Sequence, residues 1–184
     1  MINKSEEHDT PKGLRVLDEF PISISPGLFI KNLTPFENYP SFVSAKWLKP
    51  NSDNIEISLL FAQYKYLDGK QVSLYCFPEA IDRTLRIEDL ESPIETIGFL
   101  VIVDVKTLLQ LNRKVAKEHS AIHLAKSYHL PIIIAVINSG EIARSADKLS
   151  QLIDYSPDMP IVWCDGDIEL DFVKRTMDVI YSYI

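Results

Sequence analysis

Gly98-Phe-Leu-Val-Ile-Val-Asp104 is an unbroken apolar run that opens on a glycine and closes on an aspartate. A second such run, Leu130-Pro-Ile-Ile-Ile-Ala-Val-Ile137, follows after an interval long enough for helix. Continuous rather than alternating apolarity marks strands buried on both faces, the situation of a parallel sheet covered by helices. Both runs are far shorter than the roughly 20 residues a bilayer-spanning helix requires, so they read as core strands. Working outward, strands are predicted at Leu14 to Leu17, Ile57 to Leu67, Val72 to Phe77 and Ile161 to Cys164, six in all with the two above. Asp68-Gly69 sits between two of them and predicts a hairpin, because glycine accepts the positive φ of a tight turn.

The later strands alternate with helical patterns, which predicts an α/β fold with a mostly parallel sheet between two helical layers. Leu108, Leu111, Val115, Ile122 and Ala125 form one apolar stripe along a helix expected from Thr107 to Tyr128. Ser145 is placed to cap a shorter helix reaching about Asp154, and Asp171 to start a last one with Val173, Met177, Ile180 and Ile184 on its inner face.

The 184 residues fit one domain, expected over residues 13–184 behind a charged, proline-containing tail at residues 1–12 that is expected to be disordered, with an exposed loop around Lys49 to Asn54. Lys plus Arg is 19 against 26 Asp plus Glu, a net charge of −7 that repels phosphate backbones and argues against general nucleic-acid binding. Two cysteines without a Cys-x-x-Cys spacing, Cys76 and Cys164, read as packed thiols on strands. The polar start of the chain lacks the apolar core of a secretory signal, and with no bilayer-length run this gives a cytoplasmic expectation.

Several motifs line up with one family. Gly98 to Asp104 is similar to a Gly-Phe-apolar-Val-Asp strand, Leu74-Tyr-Cys-Phe77 to a Leu-Tyr-x-Phe strand, Ile134-Ala-Val-Ile-Asn138 to the strand that ends in a guanine-reading Asn-Lys-x-Asp motif, and Pro160 to Cys164 to a final strand. Over roughly residues 60 to 184 the sequence thus resembles the bacterial small Ras-like GTPases of the MglA type. The resemblance implies a Ras-like, P-loop-type three-layer sandwich with a mostly parallel six-stranded sheet and one antiparallel hairpin strand. It also implies roadblock/longin-type proteins or another small GTPase as partners, docking on the switch-side loops.

A GTPase holds its triphosphate with backbone amides, a lysine and a Mg²⁺-binding hydroxyl. Phe20-Pro-Ile-Ser-Ile-Ser25-Pro26-Gly27 stands at the phosphate loop, with Phe20 at the first glycine, Pro26 at the lysine and Gly27 at the hydroxyl, and no lysine occurs between Lys12 and Lys31. Pro26 also lacks an amide N–H. Phe77 stands where many GTPases keep a metal-coordinating Asp, Ile81 at the γ-phosphate-sensing glycine and Asp82 at the water-positioning Gln. Asn138-Ser-Gly-Glu141 replaces the guanine-reading motif, losing its lysine and moving its carboxylate outward by one methylene. Asp82 and Glu141 read equally as ordinary exposed acidic loop residues.

Other groupings are less specific. His119 and His123 lie one helical turn apart but lack the third and fourth ligands of a metal site, so a half-buried histidine is the simpler reading and no metal is expected. Asp165, Asp167, Glu169 and Asp171 follow the last strand, where such folds bind ligands, yet acidic residues also begin helices. Phe36, Tyr39, Phe42 and Trp47 crowd a polar stretch and read either as partner anchors or as sheet packing.

The expectation is a GTPase-like scaffold or regulatory protein that has lost nucleotide chemistry, with no cofactor. The first rival is a divergent GTPase using GTP and Mg²⁺ with a cation from Lys12, Lys31 or Lys106. The second is a receiver-like or metal-binding domain built on Asp18-Glu19, Asp104 and Asp165.

Overall fold

The computed structural model describes residues 10–19, 25–33, 41–48, 53–77, 87–111 and 120–183. In chain order these residues form β1 (Lys12–Asp18), α1 (Ser25–Lys31), β2 (Ser41–Trp47), β3 (Ile55–Lys65), β4 (Gln71–Cys76), β5 (Leu90–Glu91) and β6 (Glu95–Asp104), then α2 (Val105–Gln110), α3 (Ala121–Lys126), β7 (Ile132–Ile137), α4 (Ala146–Ser150), β8 (Ile161–Trp163) and α5 (Leu170–Tyr181). One sheet takes all eight strands in the order β5-β2-β3-β4-β1-β6-β7-β8.

All six expected strands are present. The expected sheet of six with a single antiparallel strand is corrected on two counts, since the described residues form eight strands with three antiparallel pairings, β3 with β4, β2 with β3 and β5 with β2. The parallel block is β4, β1, β6, β7 and β8. β2 escaped the sequence reading because Ser41-Phe-Val-Ser-Ala-Lys-Trp47 mixes polar and apolar residues without a clean period of two, while its aromatics suggest a binding loop. β5 has only two residues, too few to carry a period.

The continuous apolarity of β6 and β7 is explained by burial from both sides. Leu100, Ile102, Ile133 and Ala135 pack with Phe29 and Ile30 of α1 and with Phe172, Val173, Met177 and Ile180 of α5. Phe99, Val101, Val103, Ile134 and Val136 pack on the opposite face with Leu108 of α2, Ile122 and Ala125 of α3 and Leu149 of α4. Each fully buried large aliphatic side chain adds about 2 kcal/mol of transfer free energy, so both helical layers are held by the sheet. Gly98 permits the close approach of β1 and the segment before β7: a Cβ there would lie 2.6 Å from Leu14 Cδ2 and 3.0 Å from Pro131 O.

The hairpin forms at Asp68-Gly69, where Gly69 has φ +90° and Tyr66 N donates to Lys70 O at 2.8 Å. Its turn is tied to α5 by Tyr66 Oη donating to Met177 O at 2.7 Å and Tyr181 Oη to Asp68 Oδ2 at 2.7 Å.

The single helix expected from Thr107 to Tyr128 is corrected: it is broken at Leu111, and the described residues of this stretch hold α2 and α3. Leu111 turns extended at φ −83° and ψ 148° and ends α2, and Ser120 caps α3 by accepting from His123 N. Val115 and His119 lie between them, outside the described residues. Ser145 caps α4 as expected, though that helix stops at Ser150. Among the described residues no helix is long and apolar enough to cross a membrane.

Candidate functional site

The carboxyl ends of β1, β6, β7 and β8 meet at one edge of the sheet, the edge where open α/β folds bind ligands. β1 delivers Asp18 and Glu19 there, both buried, with Glu19 only 1% exposed. Glu19 N donates to Ile102 O at 2.9 Å. Its carboxylate accepts from Ile122 N at 2.9 Å and from Ser120 Oγ at 2.6 Å. A residue about a hundred positions away in sequence therefore satisfies one backbone amide of the first turn of α3, which a helix cannot satisfy internally, together with the hydroxyl of its capping serine.

Asp104, at the end of β6, is equally engaged. Oδ1 accepts from Lys106 N at 3.1 Å and from Asn138 Nδ2 at 2.8 Å. Oδ2 accepts from Thr107 Oγ1 at 2.8 Å. Asn138 is buried at φ 55°, a left-handed conformation that Asn tolerates better than most residues.

The loop after β7 is fastened to the loop after β8. Asn138 N donates to Gly166 O at 3.0 Å and Ser139 N to Cys164 O at 2.8 Å. Asp165 Oδ1 accepts from Ser139 Oγ at 2.8 Å and from Arg144 Nε at 2.9 Å, and Arg144 Nη2 completes a two-pronged pair on Oδ2. Hydrogen bonds from Arg144 first and Ser139 second hold the Asp165 carboxyl below its ordinary range. Ala143 and Arg144 both take positive φ, 52° and 51°, to bring the guanidinium round.

The residues singled out from sequence are distributed as follows. Ser25 opens α1, Pro26 is buried in its first turn and Gly27 is half-buried, facing Leu60. Asn138 turns its amide to Asp104, while Glu141 is exposed on the 3-10 turn Ser139–Ile142. Phe20, Ile81 and Asp82 lie outside the described residues, as do Phe36 and Tyr39. Phe42 is on β2 and 72% exposed, and Trp47 ends that strand opposite Ile55 and Leu90. Phe77 is core packing beside Tyr75. Cys76 and Cys164 are buried and form no disulfide.

Of the three lysines weighed for a phosphate site, Lys12 starts β1 at the opposite edge of the sheet and Lys31 ends α1. Lys106 alone stands at the carboxyl edge, beside Asp104. The acidic run after β8 does not converge, since Asp165 turns to Arg144 and Asp171 to Arg175. Among the described residues no group of three metal-ligating side chains occurs.

Two participants escaped the sequence reading, and a third was given another role. Glu19 was read with Asp18 as an acidic pair of a receiver-like or metal-binding site, whereas its carboxylate accepts from Ile122 N and Ser120 Oγ; Arg144 was visible only as one basic residue in a loop, and Arg15 as a charge inside an apolar run. Arg15 is completely buried in β1 with its guanidinium 4.6 Å from the Phe77 ring centroid. A charged residue within an apolar strand was the available signal, and it went unused.

No protein-family model matches the sequence, and no curated protein matches it.

Proposed function

We propose that this chain is a Ras-like α/β domain that has given up nucleotide chemistry and acts as a scaffold or regulatory subunit through protein contacts. Support comes first from topology: a hairpin, β3 with β4, precedes the parallel succession β6, β7 and β8, with β1 inserted between β4 and β6.

One observation carries the functional part. Where such a domain would seat its triphosphate, the chain ends β1 in two buried carboxylates, Asp18 and Glu19, and begins α1 with a buried proline that has no N–H to donate. Carboxylate oxygens accept hydrogen bonds, as phosphate oxygens do, so these two side chains offer a polyphosphate no donor in the ionised form, and Glu19 is already committed to α3. The base side is engaged likewise, with the Asn138 amide on Asp104 and Asp165 on Arg144.

A domain so arranged retains a rigid sheet with loops at its rim, and partner recognition is the work left for those surfaces. A roadblock/longin-type protein or another small GTPase is the partner class the resemblance suggests, with the exposed Phe42 ring as the anchor.

Titration of the purified protein with fluorescent GTP, GDP and ATP in Mg²⁺ tests the reading. No saturable binding is expected at micromolar concentrations; micromolar affinity with measurable turnover overturns it.

A further inference from the structure

β8 is the last strand of the sheet, and its hydrogen-bonding pattern shows which groups it leaves over. Ile134 N donates to Pro160 O at 2.9 Å and Cys164 N to Val136 O at 2.8 Å. In a parallel ladder alternate residues turn both backbone groups to the same neighbour, so Pro160, Val162 and Cys164 face β7. Ile161 and Trp163 consequently face outward. Trp163 O accepts from Arg175 Nη1 at 3.0 Å, which leaves Ile161 N–H, Ile161 C=O and Trp163 N–H directed away from the sheet.

A groove of about 380 Å³ runs along this edge, lined by Ile161, Val162, Trp163, Val179, Asp178 and the two arginines 144 and 175. Arg144 spends Nε and Nη2 on Asp165, and Arg175 spends Nε on Asp171 and Nη1 on Trp163 O. Nη1 of the first and Nη2 of the second take no partner among the described residues. Both ion pairs are solvent-exposed, and exposed pairs rearrange at little cost. The edge therefore offers main-chain donors and an acceptor for an added strand, an apolar wall in Val179, and unspent guanidinium donors in a chain whose net charge is −7. Asp178, one helical turn beyond Arg175, is the one carboxylate among the groove's lining residues.

We infer that the β8 edge binds an extended segment of a partner protein that adds as a ninth strand and places an acidic side chain against Arg144 and Arg175. Main-chain pairing supplies the affinity and the guanidiniums the selectivity. The inference stands apart from the nucleotide question: loss of either leaves the other in place.

The test uses three capped hexapeptides as probes on the full chain: Thr-Val-Glu-Val-Thr-Val, the same sequence with Lys for Glu, and the Glu peptide with alternate backbone nitrogens methylated. Affinities come from NMR titration, and hydrogen exchange is followed at the Ile161 and Trp163 amides. The Glu peptide is expected to bind saturably and slow exchange at both amides, the Lys peptide to bind about tenfold more weakly and the methylated peptide to lose binding. Arg175→Gln is expected to erase the Glu-over-Lys preference. Ile161→Pro, which removes an outward-facing N–H that an edge strand can spare, is expected to abolish binding while the circular dichroism spectrum is kept. If that variant unfolds, the exchange data on the unaltered chain decide. Equal affinity for Glu and Lys peptides, shifts confined to other surfaces, or protection of Ile161 N–H by self-association in sedimentation overturns the inference.

Discussion

The carboxyl edge of the sheet has two halves that fill the same kind of position by opposite means. On the β1 side a buried carboxylate, Glu19, reaches across the fold to the start of α3. On the β7 and β8 side an exposed pair, Arg144 with Asp165, ties two loops together at the surface. Burial decides what each is worth. A buried charge with fixed donors is costly to disturb because its partners are orphaned, whereas an exposed pair exchanges readily with water. The β1 half is therefore structural, and the β7–β8 half is a surface free to rearrange.

The largest effect should follow from emptying the buried half. Glu19→Ala is expected to cost about 3 kcal/mol, since it orphans Ile122 N and Ser120 Oγ, and Glu19→Gln to recover part of that by keeping an acceptor. Urea denaturation reads both values, and a loss below about 1 kcal/mol for the alanine would erase the distinction between the halves. Next comes the strained turn on the other side. Ala143 holds φ 52° with a Cβ that opposes it, so Ala143→Gly should stabilise the protein by about 0.5–1 kcal/mol, measured the same way.

The smallest effect on stability is expected from Arg144→Ala, whose clear signature is instead electrostatic. Asp165 is held below its ordinary pKa of 3.8 in the folded protein. The stability linked to it is then complete above the unfolded-state value and is lost as pH falls through the lowered folded value. Removing the guanidinium should raise the Asp165 midpoint toward the ordinary range in a carboxyl-detected NMR titration and shorten the acid-stable range. An unmoved midpoint would show that Ser139 alone sets it.

The same contrast explains what could be read from sequence. β6 and β7 were legible because burial on both faces writes itself as unbroken apolarity, and α5 because Val173, Met177 and Ile180 recur at helical spacing on a buried face. The capping serines 120 and 145 are local signals, although only Ser145 was used. What stayed hidden depends on distant partners: nothing near Glu19 announces Ser120, and nothing near Arg144 announces Asp165. The break at Leu111 was invisible for a related reason, because apolar spacing continues across it while the backbone turns extended. β2 shows the remaining limit, since a short, largely exposed strand and a loop rich in aromatics have the same composition.

The most direct measurement is the nucleotide content of the protein as purified, released by denaturation and quantified chromatographically. On the proposed reading, with Glu19 bonded to the start of α3, Asn138 to Asp104 and Asp165 to Arg144, the protein is expected to carry no guanine or adenine nucleotide through purification. Near-stoichiometric GDP or GTP would contradict the account.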